Sequence, residues 1–287
     1  MTIKEIDAAL EEGQSLKQIT QAYSEVANLK IKKIRTEVER NRIFFEEISG
    51  VFALIKKLAI KRRVNIVKPK KTVSVIITSN YHFYGSINAD LIDFFLLEIQ
   101  KMDTDKLIIG KVAIDFFKAS KTLSNHKQAS AIQEVLLNKD QATSEELVNL
   151  VNIIKDYEQV LIFYSSMKSL LIQQPTVTDI TASSQTKLEL LSTKEDPKDI
   201  RFIFEPELSK ILQFFDSQII TLLLEGTFLE SELSRTASRF ISMDQGENEA
   251  NKFIKEYEKL KAYVKRNLDN NKILENFASM AAVRKET

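Results

Sequence analysis

Proline placement constrains this chain most. The four prolines are Pro69, Pro175, Pro197 and Pro206, so the first 68 residues and the last 81 contain none. Six glycines are the only other strong turn formers in 287 residues. A chain this poor in breakers must build long uninterrupted elements, which excludes sandwiches that need a turn every ~8–12 residues.

The proline-free ends read as helices. Apolar residues recur at three- and four-residue steps, as in Ile3, Ile6, Leu10, then Leu16, Ile19, Tyr23, Val26, then Ile31, Ile34 and Val38. This spacing is the narrow seam of a coiled coil. About 55 such residues span ~80 Å, longer than a compact domain is wide. Toward the other end, Leu208, Ile211, Leu212, Phe215, Ile219 and Leu222 repeat the pattern, which resumes through Tyr257, Leu260, Val264 and Leu268. Two such helices at the ends of one chain can pair antiparallel, and either one alone would expose its seam. A charge buried in that seam, as in Ile19→Asp or Leu222→Asp, is expected to split it.

The middle reads as α/β. Buried-type strands are expected at Thr72–Thr78, Leu107–Val112 and Val160–Tyr164. Helical patterns fall at Ile87–Gln100, Ala129–Leu137 and Glu145–Tyr157, the last opened by a Thr143/Glu146 capping box. Shorter extended pieces follow at Pro175–Ile180 and Ile200–Phe204, around a loop at 181–199. Alternation of strand and helix predicts a small, mostly parallel sheet. The expected organisation is a shaft helix over 1–71, a central α/β domain over 72–204, and a second shaft helix over 205–287 that pairs with the first.

Charge follows the same division. Residues 1–71 carry net +7, 72–224 net −6 and 225–287 net zero, within a total of +1. No global field for nucleic acid or membrane follows from that balance. The start of the chain is charged and amphipathic, unlike a signal peptide, which predicts a cytoplasmic setting. With Cys absent, neither a disulfide framework nor a catalytic thiol is available. His82 and His126 have no ligand-type company, so no catalytic, metal or cofactor residue is expected.

The turn Thr78–Asn88 lies after a strand and before a helix, where phosphate loops occur. It has one glycine and no lysine–hydroxyl pair, and is read as structural. Leu54–Lys71 holds eight basic residues and no acidic one. It reads as a solvated helix end, an acidic-protein contact or a nucleic-acid contact, the last weakened by the lack of interleaved aromatics.

Taken in order, the motifs resemble the gamma subunit of F-type rotary ATPases. Gln18-Ile19-Thr20-Gln21-Ala22 and Val26-Ala27 are similar to that family's K-I-T-x-A-M…V-A. Thr78, Ser79, Gly85 and Asn88 fall on T-S-D-R-G-L-C-G-G-L-N, and Phe202–Pro206 on Y-x-F-E-P. Leu229-Glu230-Ser231, Ser234, Ala237, Arg239 and Met243 fall on L-E-S-x-x-S-E-x-x-A-R-M-x-A-M. The departures are Asn80–Tyr84 in place of the charged pair and cysteine, Arg235 in place of a Glu, and Lys261–Asp269 where R-Q-x-x-I-T is expected.

The resemblance implies a fold: an antiparallel coiled coil of the terminal helices carrying a small α/β domain. It implies a non-catalytic central-stalk rotor that couples rotation to ATP synthesis or hydrolysis. The implied partners are alpha and beta subunits of a catalytic hexamer, the epsilon subunit, and a c ring or a substitute. The membrane would be reached only through them, at the cytoplasmic face, and no nucleic acid is expected. Expected shaft–hexamer contacts are Thr20, Tyr23, Val26, Lys30, Lys33, Arg35, Arg239, Met243, Lys261, Lys265 and Arg266. Expected foot or partner contacts are Asn80, Tyr81, His82, Phe83, Tyr84, Gly85 and Asn88. The alternatives are a similar rotor in a specialised ATPase without the usual ion-conducting sector, as in mycoplasmas, and a coiled-coil scaffold for an acidic partner.

Overall fold

The computed structural model describes residues 2–61, 71–120, 132–181, 205 and 207–283. The expected strand Ile200–Phe204, His126, Pro206, most of the expected loop and the side chains of the basic segment before Lys71 lie outside them. The chain divides into two compact units, residues 1–28 with 240–287 and residues 29–239. Helices α1 (Ile3–Lys61) and α5 (Leu208–Val283) contribute to both.

In the first unit, α1 buries Ile6, Gly13, Thr20 and Ala27, one residue every seven. Their partners run down α5 as α1 rises. Asp7 pairs with Lys261 at 2.7 Å. Gly13 faces Phe253 and Ile254, and Gly246 faces the Thr20 methyl. Gln21 Nε2 donates to Glu247 Oε1 at 2.6 Å. The pairing is therefore antiparallel. A side chain at Gly13 would start 2.9 Å from the Phe253 ring, so only a hydrogen there lets the helices approach this closely.

Ile6, Ile31 and Ile34 of the seam read from the sequence are buried, but its middle part is corrected. Leu16, Ile19, Tyr23 and Val26 form a neighbouring stripe that is 47–60% exposed. Two adjacent stripes share the three-and-four spacing, and the row of small residues is the one that lets the backbones come together.

In the second unit a five-stranded sheet has the order β3-β2-β1-β4-β5. The strands are β1 (Thr72–Ile77), β2 (Asp105–Ile109), β3 (Ile132–Val135), β4 (Gln159–Ser169) and β5 (Ile172–Asp179). All neighbours are parallel except β4 and β5. Strand residues alternate between two cores. Ile76, Ile108, Leu161 and Phe163 meet α2 (Ile87–Ile99) and α3 (Lys111–Ser120) through Leu91, Phe95, Ile114 and Phe117. Val75, Leu107, Ile162 and Tyr164 meet α4 (Ser144–Ile154) and α5 through Leu150, Ile154, Ile220, Leu224 and Phe228. The other side of α5 packs on α1 in a cluster of Phe45, Phe52, Ile55, Leu208, Leu212, Ile219 and Leu222, and with Asn41 bonded to the Leu222 carbonyl and Phe52 stacked on Phe215 the pairing is again antiparallel.

The capping box of α4 is present, with Glu146 N–H donating to Thr143 Oγ1 and Thr143 N–H to Glu146 Oε2. Two expectations fail. Part of Ala129–Leu137 is strand β3, whose pairing with β2 overrides a helix-like three-residue period. The run Leu107–Val112 ends early, because Gly110 at φ +99° turns the chain into α3.

Candidate functional site

The turn after β1 is tied by hydrogen bonds to the start of α3. Lys111 N–H donates to Asn80 Oδ1, Val112 N–H to the Ser79 carbonyl, and Ala113 N–H to Thr78 Oγ1. These are the orphan donors at the start of α3, so the turn side chains and carbonyls cap that helix. Gly110 packs so closely on Thr78 that a Cβ would lie 2.4 Å from its carbonyl oxygen. Asn88 closes the turn from α2, donating to Ser79 Oγ at 2.9 Å.

Asp140, from the loop before α4, organises the next layer. It is buried, accepting from Asn80 N–H and from Tyr84 Oη, each at 2.5 Å. Asn80 Nδ2 also donates to the Leu137 carbonyl at 2.7 Å. Burial, and then the bond to Asp140, pushes the Tyr84 phenol far above its usual range, so it stays a donor.

Helix α5 grips the turn from the other side. Ser238 Oγ donates to the Tyr84 carbonyl at 2.7 Å. Arg239 Nε donates to the Phe83 carbonyl at 3.3 Å and Nη2 to the His82 carbonyl at 3.2 Å. Its guanidinium also lies 4.0 Å from the Tyr84 ring centroid, a cation–π contact. One turn earlier Arg235 is 1% exposed, with Nη1 on Ser231 Oγ and Nη2 on the Asp140 carbonyl. Glu232, equally buried, pairs with Lys30 of α1 at 2.5 Å. Arg235 Nε, Glu232 Oε2 and Ser234 Oγ have no partner among the described residues. Each such buried group costs ~1–3 kcal/mol, so this stretch of α5 is kept polar against its own stability.

Of the expected foot residues, Asn80, Tyr84 and Asn88 are framework, while Gly85 is exposed at φ +64°. Tyr81 and Phe83 stand outward at 53% and 73% exposure, and His82 is exposed too. Of the expected shaft residues, Tyr23, Val26, Arg35, Lys265 and Arg266 are exposed. Thr20 is buried in the seam, its hydroxyl bonded to the Leu16 and Lys17 carbonyls. Lys33 lies 3.8 Å from Glu37, Lys261 is paired with Asp7, and Met243 is half-buried. Sequence reasoning missed Asp140 altogether. Arg235 had a readable signal: it follows Phe228 and Ser231 by seven and four residues on one buried face.

Among the described residues no helix is long and apolar enough to cross a membrane. At the far end of α5, Tyr263, Leu274, Phe277 and Met280 are each more than half exposed.

A family model described as ATP synthase matches residues 2–266. The ATP synthase gamma chains of Staphylococcus aureus strains JH9 and Newman are 21% identical over 261 residues, covering 88% of this chain and 89% of theirs. A chain of the rotor of Euglena gracilis mitochondrial ATP synthase superposes with a TM-score of 0.59 at 17% identity, over 93% of this chain and 98% of its own. A chain from the central stalk and c-ring of the Tetrahymena thermophila mitochondrial ATP synthase gives 0.55 at 20%, over 79% and 98%. With the family model matching residues 2–266 and the curated gamma chains alike over 88% of this chain, the chain belongs to the ATP synthase family as a gamma-type member.

Proposed function

We propose that this chain is the central-stalk rotor of an F-type rotary ATPase, without catalysis of its own. The observation that carries the reading is the antiparallel partnership of α1 and α5 in each unit, with an α/β domain inserted between the two helices in sequence. In this reading the paired helices turn inside a hexamer of alpha and beta subunits, and the catalytic sites belong to that hexamer. A rotor can bias those sites only by contacting their conformations unequally. Tyr23, Val26, Arg35, Lys265 and Arg266 supply exposed groups for such contacts. The turn at 80–85 serves the foot, toward an epsilon subunit and a c ring or its substitute. The assembly sits at the cytoplasmic face of the plasma membrane, held there through partner subunits alone.

The test is reconstitution. The chain is mixed with alpha and beta chains from the same genome, and the mixture is sized and assayed for ATP hydrolysis. A complex whose ATPase rate depends on this chain is expected. No association at low salt would overturn the reading.

A further inference from the structure

Phe83 has a left-handed backbone, φ +66°, the only positive φ outside glycine among the described residues. A bulky side chain pays for that conformation, and such strain persists only where the surroundings over-determine it. Here they do. The carbonyls of His82, Phe83 and Tyr84 are all held from α5, by Arg239 and Ser238. Behind them the Tyr84 hydroxyl is anchored on Asp140. Among the described residues the Phe83 ring is 73% exposed and belongs to none of the apolar clusters.

The geometry points to Phe83 as a preorganised anchor for another protein chain, with Arg239 as its positioning residue. The partner it fits offers an apolar socket for one ring and a carboxylate at the rim. Buried aromatic anchors dominate interfaces, and a rigid anchor loses little entropy on docking. Among the described residues Arg239 Nη1 makes no hydrogen bond, and the guanidinium carries the charge that a rim carboxylate would meet. This inference rests on the rotor reading and names Phe83 as the residue that anchors the foot to its soluble partner, a subunit of the epsilon type.

The test measures binding of the full chain to the other soluble subunits of the ATPase, assembled without it. Phe83→Gly, Phe83→Leu and Arg239→Lys are compared with the wild type. Phe83→Gly is expected to weaken binding about tenfold or more without lowering Tm, because glycine accepts the left-handed backbone. Phe83→Leu should keep most of the affinity. Arg239→Lys should weaken binding in the wild-type background and add little to Phe83→Gly, since the two act through one anchor. A photocrosslinking benzophenone side chain at position 83 should link to a partner subunit. Unchanged binding by Phe83→Gly, or a crosslink confined to this chain, would overturn the anchor while leaving the rotor reading standing. Failure of the wild type to bind would overturn both.

Discussion

Tyr84 and Asp140 show how a single hydroxyl holds the turn. The phenol is buried and its oxygen sits 2.5 Å from a buried carboxylate. Tyr84→Phe keeps the ring under Arg239 but leaves Asp140 Oδ2 short of a donor. A loss of ~1–3 kcal/mol is expected, read from denaturant unfolding. Tyr164 is built alike, its hydroxyl on Glu230 at 3.0 Å and its pKa pushed up to about 12, chiefly by burial. Glu225 gives the pH signature. Burial raises its carboxyl above the ordinary 4.5, against the bond from Asn41 and with help from Glu37. A group whose folded pKa is raised contributes most below its unfolded value, and that contribution is lost as pH rises through the folded one. Glu225→Gln should therefore raise Tm at neutral pH and lose the advantage below pH 4.5. An equal gain at both pH values would show that the effect is not titration.

The elements divide into those visible in residue order and those that tertiary contacts decide. Proline-free ends and three-and-four spacing made both terminal helices legible, because local period alone sets them. The capping box at Thr143 and Glu146 was legible for the same reason. The small residues in the buried stripe of α1 were not. Gly13, Thr20 and Ala27 carry little hydrophobicity, and their value lies in what they allow a second helix to do. Strand β3 depends on its pairing with β2, and the buried charges at Asp140 and Arg235 depend on groups far away in sequence. The distinction between stripes is testable. Gly13→Leu should cost ~1–3 kcal/mol by overpacking against Phe253. Ile19→Asp, at a position 53% exposed, should stay within ~0.5 kcal/mol. The reverse order in thermal melts would restore the seam first read from the apolar residues.

At the scale of the whole molecule, a gamma-type rotor must turn. The absence of cysteine makes a direct observation simple. Lys111→Cys places one thiol at an exposed position on the α/β domain. A bead attached there, on a reconstituted alpha/beta hexamer fixed to glass, reports motion during ATP hydrolysis. Rotation in one direction is expected, advancing in equal steps, one for each catalytic site. ATP hydrolysis by an intact complex in which the bead shows only Brownian wobble would contradict it.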